Sequence, residues 1–232
     1  DPGSTPGQSD RERALGTLRA EGLLPHGTVG QITLDTGLAV VEALRERLAP
    51  HRIDPRPPLE LDLDLGTRRV TGWLDGLTGT GLLDHRVGKT RPTDRLRLWI
   101  RHLALNLSRP AGIPCRSILI TETDTLTLEP VADAHDLLLD LIALFEQGQR
   151  EPLPFFPATS LELAQGKGDQ ARKIWYGDRQ RAGECDEPAN RTCFRGRDPL
   201  AGAEIALTEG LAGRVYGPLL RALDGQDEGE GR

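Results

Sequence analysis

Methionine is absent from the 232 residues, and the chain opens on Asp1-Pro2, so the sequence reads as part of a longer translated product. Aromatic residues make up only 4%, which leaves Leu to do most of the packing in any core. No apolar run approaches the roughly 20 residues that a membrane-spanning helix needs, and the Pro- and Asp-containing start lacks the build of a secretory signal. The three cysteines, Cys115, Cys185 and Cys193, are an odd number without CxxC spacing. They read as free thiols in a reducing cytoplasm rather than as a disulfide framework or a metal site. His26, His51, His85, His102 and His135 are scattered without paired spacing and read as ordinary surface or core residues. At 37% hydrophobic residues there is material for a core of ordinary proportions, enough for one large domain or a domain with a subdomain.

A net charge of −6 is unlike that of a typical nucleic-acid binder, but the charge is unevenly spread. Between residues 86 and 101 stand Arg86, Lys89, Arg91, Arg95, Arg97 and Arg101, against Asp94 alone. A second cluster, Lys167, Arg172, Lys173, Arg179 and Arg181, faces only Asp169 and Asp178. Affinity for phosphate follows local potential more than the total, so a basic stripe on an acidic body suits a protein that meets DNA on one face. A solvated helix face carries the same signature.

Residues 1–9 are rich in Pro, Gly and Ser and predict a disordered lead-in; 10–21 predict a short helix, stopped by Gly22. A Gly/Pro connector (22–30) precedes a helix capped by Thr36, with Leu38, Val41, Leu44 and Leu48 at helical spacing. Leu59, Leu61, Leu63 and Leu65 then alternate with Glu60, Asp62 and Asp64, the period of a strand with one buried face. Gly66-Thr67 turns the chain into a partner strand (68–75), and a second turn at 78–81 leads to a third strand (81–88), a β-meander. Thr93 or Asp94 caps a helix through Leu107 whose apolar face is Leu96, Trp99, Ile100, Leu103 and Leu107, with Leu98 and Leu105 off it. Strands at 117–121 and 125–129 follow, then a helix from Pro130 to Gly148. Beyond it come an irregular stretch (151–157), a short helix around Ile174-Trp175-Tyr176, a last helix to Leu223 and an acidic tail (224–232). The pattern is that of an α/β or α+β fold, a mixed sheet flanked by helices over 10–148, with a looser helical extension over 149–223 packed on it.

The strands carry the candidate chemistry. Asp75 ends one, and Asp84-His85-Arg86 lies on the next. Metal-dependent nucleases of the PD-(D/E)XK kind use this layout, in which two acids hold Mg²⁺ and a lysine two residues after the second helps position or deprotonate the water. Here that position is Arg86, which cannot give up a proton near neutrality but can grip a phosphate. Lys89 substitutes only if its turn folds it back. The Gly88-Lys89-Thr90 run resembles the end of a P-loop, but the first glycine of that motif falls at Leu83 and Pro92 follows too soon.

The words GLLPHG (22–27), LLDHRVGKT (82–90) running into RLRLWIRHLALN (95–106), LPFFP (153–157), FRGRDPL (194–200) and RVYGPLL (214–220) together resemble the C-terminal domain of RecC, the gamma subunit of exodeoxyribonuclease V. The resemblance covers roughly residues 10–223. It implies a PD-(D/E)XK nuclease-like fold whose catalytic set has decayed, with Asp75 and Asp84 as remnants of the metal pocket and Arg86 as the substituted lysine. It implies a cytoplasmic location, DNA (duplex or forked end) and the RecB and RecD subunits as partners, and no cofactor. DNA contacts are then expected from Arg86, Lys89, Arg91, Arg97 and Arg101. Two other readings stay open: a surviving Mg²⁺-dependent nuclease using Asp75 and Asp84 with Lys89, and a purely protein-docking domain offering Leu98, Leu105, Phe155 and Phe156.

Overall fold

The computed structural model describes residues 6–224 and divides the chain into two compact units, 1–50 and 51–232. The sequence placed its boundary at 148. The first unit holds helices α1 (Pro6–Ala20) and α2 (Gly27–Leu48). Helix α1 starts inside the expected lead-in, with Pro at the position where a missing N–H costs nothing; residues 1–5 lie outside the described residues. Helix α2 begins nine residues before Thr36, which is therefore interior and turns its hydroxyl back to the Ile32 carbonyl at 2.9 Å. Gly27 and Gly30, which suggest a connector, lie inside the helix. Each weakens a helix by about 1 kcal/mol, which a 22-residue helix absorbs. Of its expected apolar positions, Leu44 and Leu48 are buried together with Leu34, whereas Leu38 and Val41 are exposed.

The second unit opens with the hairpin of β1 (Leu59–Asp64) and β2 (Arg69–Leu74), antiparallel with Leu59 opposite Leu74 and Asp64 opposite Arg69. The Leu-acid alternation does what its period predicts. Leu61 and Leu65 are buried, Leu59 and Leu63 half-buried, and the three acids exposed. The expected meander stops there. Strands β3 (Leu77–Thr78) and β4 (Gly81–His85) belong to a separate sheet of order β3-β4-β5-β6, with β5 at Ser117–Ile120 and β6 at Thr125–Leu128. Strand β4 has both edges occupied, by β3 antiparallel and by β5 parallel, so none is left for β2. Gly76, at φ 71°, turns the chain between the two sheets, and its carbonyl accepts from the Leu83 N–H at 2.8 Å. A Cβ there would lie 2.6 Å from the Leu83 carbonyl oxygen.

Parallel neighbours need a crossover, and α3 (Pro92–Ser108) supplies it between β4 and β5. The helix packs on β1, β4 and β5 and also on α4 (Ala134–Gly148) and α5 (Pro157–Ala164). Because it is covered on more than one side, its buried set is Asp94, Leu98, Trp99, His102, Leu103, Ala104, Leu105 and Asn106, while Ile100 is 47% exposed. The expected stripe is thus rotated. Leu98, Leu105 and Phe156 are core residues and Phe155 is half-buried, which removes them as a docking surface.

The extension is more regular than expected. Helix α5 occupies the end of the irregular stretch, α6 (Gly168–Tyr176) and α7 (Pro188–Cys193) follow, and α8 (Glu204–Asp224) carries Pro218 inside it. Leu161, Tyr216 and Leu219 share one core cluster with Trp99, Leu103 and Leu119, so α5 and α8 close over the sheet unit. A satellite cluster of Phe156, Trp175, Phe194 and Leu200 organises α6 and α7. Residues 225–232 of the expected acidic tail lie outside the described residues. The architecture is mixed α/β, no described helix is long and apolar enough to cross a membrane, and all three cysteines are free.

Candidate functional site

Asp75 follows β2 directly, Asp84 is the fourth residue of β4, and α3 runs past both. Three residues on α3, Asp94, Arg97 and Arg101, are spaced i, i+3 and i+7 and so share one face. That face meets the strand acids. Asp84 Oδ2 accepts from Arg97 Nε at 3.2 Å and from Arg101 Nη1 at 3.0 Å, while its Oδ1 accepts from the His85 N–H at 2.8 Å. The other amino group of Arg101 donates to the Asp75 carboxylate and, at 2.7 Å, to the Asp75 carbonyl. One guanidinium therefore bridges the two acids. The Asp84 side chain is only 13% exposed and that of Arg101 20%, so the pair is largely withdrawn from water.

Arg86, in the position of the nuclease lysine, turns to α3 and pairs with buried Asp94 at 3.4 Å. Asp94 also accepts from the Arg91 N–H at 3.0 Å, which caps the helix, and lies 3.9 Å from Arg97. Asp94 thus closes the first turn as the third residue inside the helix, with Arg91 rather than Thr93 or Asp94 at the cap position. Lys89 and Arg91 are exposed and have no ion-pair partner among the described residues. The loop that carries them is pinned. The Gly88 carbonyl accepts from the Glu122 N–H at 3.1 Å, and the Thr90 hydroxyl donates to Asp124 at 2.6 Å. A threonine held this way is not available to a nucleotide phosphate or its metal, which disposes of the P-loop likeness.

Of the five expected phosphate contacts, then, Arg86, Arg97 and Arg101 are engaged by carboxylates, and Lys89 and Arg91 face solvent. The apparent excess over 86–101 is reduced because the fold brings Asp75 and Asp84 to the same cations. The one signal in the sequence for this was the i, i+4 spacing of Arg97 and Arg101, which lets two guanidiniums reach one acid. Asp75 and Asp84 alone supply two donors for a divalent ion, and no cluster of three or more His, Cys, Asp or Glu suited to a metal occurs among the described residues. The donor set does not fit a Mg²⁺ centre while Arg101 lies between the acids.

Curated proteins match this chain over much of its length. The RecBCD enzyme subunit RecC of Mycobacterium tuberculosis (strain ATCC 25618 / H37Rv) is 29% identical over 226 residues, covering 87% of this chain and 20% of the relative. The same-named protein of Escherichia coli (strain K12) is 29% identical over 152 residues, 65% of this chain and 13% of the relative. That of Mycolicibacterium smegmatis is 32% identical over 117 residues, 47% and 10%. The chain therefore spans a fifth or less of the length of these relatives. The family profile of the RecC C-terminal domain matches residues 5–168, and the chain belongs to that family.

Proposed function

We propose that the chain is a nuclease-like domain that has lost its chemistry and serves to contact DNA and neighbouring subunits within exodeoxyribonuclease V. RecB and RecD are the subunits it would meet, during duplex unwinding in recombinational break repair. The observation that carries the reading is the Arg101 bridge. An acid just after one strand, a second strand bearing Asp84 with Arg86 just past its end, a helix and a parallel strand follow the order of a PD-(D/E)XK core. In the place of its metal stands a fixed guanidinium. A divalent ion would have to displace Arg101 and, in part, Arg97, and would face their repulsion once bound. Arg86 cannot act as a base, and its charge is already directed to Asp94. DNA contact falls first to Lys89 and Arg91, exposed in the loop that leads into α3. Subunit contact falls to exposed Trp73 and Phe145, in place of the buried leucines.

The test is a nuclease assay of the chain on linear DNA with Mg²⁺ or Mn²⁺, with Asp84→Ala as control. Cutting no faster than the control is expected; Asp84-dependent cutting would establish the rival reading of a working nuclease. That rival has one observation in its favour, since Asp75 and Asp84 are still close enough to share one side chain. Neutralising Lys89 and Arg91 together is expected to weaken duplex binding, and unchanged binding would remove this loop as a contact.

A further inference from the structure

Aromatic residues are scarce in this chain, yet four of its nine, Phe156, Trp175, Tyr176 and Phe194, gather around α6 and α7. Three are consumed by packing. Phe156 stacks obliquely on Trp175 with ring centroids 4.1 Å apart and meets Phe194 edge-on at 5.2 Å, making a rigid floor. Tyr176 is not consumed: it is 47% exposed. Its hydroxyl donates to Asp198 Oδ2 at 2.6 Å, which fixes the position of an aromatic face presented to solvent. Trp175 and Phe194 of this floor and the Tyr176 ring border an open cavity of about 830 Å³, which Arg191 and Arg195 also line. Both arginines are exposed and have no ion-pair partner among the described residues. Arg197, at the rim, is spent on Glu204 at 3.0 Å and on the Phe194 ring.

A pre-fixed exposed ring beside two unpaired guanidiniums is the equipment for one nucleotide of a single strand. The base stacks on the ring and the phosphate takes charge-assisted hydrogen bonds. We infer that the α6–α7 cavity binds single-stranded DNA, with Tyr176 as the stacking platform and Arg191 and Arg195 as the phosphate clamp. The inference rests on the DNA-contacting reading for its choice of ligand and stands on residues different from those of the Arg101 site. A protein anion would need the arginines but not the ring, so Tyr176 decides between them.

The experiment is fluorescence anisotropy of a dye-labelled oligothymidylate against the full chain, with a labelled duplex of equal length in parallel. Base stacking on an aromatic contributes about 1–3 kcal/mol, so Tyr176→Leu is expected to weaken oligothymidylate binding about 5- to 150-fold. Tyr176→Phe keeps the ring and should lose much less. Arg191→Ala/Arg195→Ala should weaken the same probe at least tenfold and flatten its salt dependence, while duplex binding, assigned to Lys89 and Arg91, holds. Tyr176, Arg191 and Arg195 are all exposed, and unchanged melting temperatures show that the fold is kept. Oligothymidylate binding that survives Tyr176→Leu, or that survives the double arginine variant, overturns the site. If only the Lys89/Arg91 variant loses duplex binding and the single-strand arm is flat throughout, the loop stands and this cavity falls.

Discussion

His102 lies fully buried on α3, where Nδ1 pairs with Ser117 Oγ at 2.9 Å and Nε2 with the Glu129 carbonyl at 3.1 Å. Burial disfavours the charged ring and lowers its pKa from 6.5 to about 4, against a smaller upward pull from the Glu129 carbonyl. The unfolded chain takes up this proton first as pH falls. Stability from this residue is therefore whole above pH 6.5, declines between 6.5 and about 4, and levels off below. The span corresponds to about 3 kcal/mol at most. Urea unfolding of the wild-type chain across that window should show the loss, and His102→Gln, less stable at neutral pH, should show a shallower slope. A slope unaltered by the substitution would assign the acid sensitivity elsewhere. At the Arg101 bridge, Arg101→Ala leaves Asp84 with Arg97 alone. It should cost about 1.5–3 kcal/mol, the usual contribution of a hydrogen bond to a charged group, and should let Mn²⁺ raise the melting temperature where it does not in the wild type. The residue types at both places were legible from the sequence. Their partners were not, because Ser117 and Asp84 reach α3 only through the crossover. A buried and an exposed histidine look alike in a string of letters.

Hydrophobic period placed nearly every strand and the ends of α3, but it could not say which strand pairs with which. Strand β4 reads as the continuation of a meander because a turn precedes it; its parallel partner β5 lies beyond a helix, and no local pattern records that pairing. Gly81 is where the sheet depends on a single missing side chain. At φ 121°, a Cβ there would lie 2.3 Å from the Arg116 carbonyl oxygen, which accepts from the Leu82 N–H at 2.9 Å. Gly81→Ala should therefore pry the start of β4 from β5 and destabilise by more than the roughly 1 kcal/mol of an ordinary strained turn. Thermal unfolding checks this, and a melting point within a degree of wild type would show that the Arg116 segment yields freely. The α3 stripe was misjudged for a related reason. A helix covered by a sheet on one side and by α4 and α5 on others has no single buried face for the period to reveal, so Ile100 and Leu98 exchanged roles.

The chain as a whole is acidic, so any hold on DNA comes from small cationic features set against long-range repulsion. With Lys89 and Arg91 exposed and Arg86, Arg97 and Arg101 paired with carboxylates, two phosphates are the expected count at the loop. The double variant should lower the slope of log K against log salt for duplex DNA by about 1.8. A fall of four or more would mean that the paired arginines exchange their carboxylates for phosphate on binding. The sequence showed the basic run but not its neutralisation, because net charge over a window ignores acids that arrive from other strands. The Arg101 bridge also separates this fold from the composition of its surroundings. A diffusible ion occupies a site according to its concentration and leaves when a chelator lowers it. A tethered counter-ion has a local concentration set by the side chain's own length. The strand ends at Asp75 and Asp84 are thus clamped alike in magnesium-rich and magnesium-starved conditions, and the shape of this part is set without any diffusible metal.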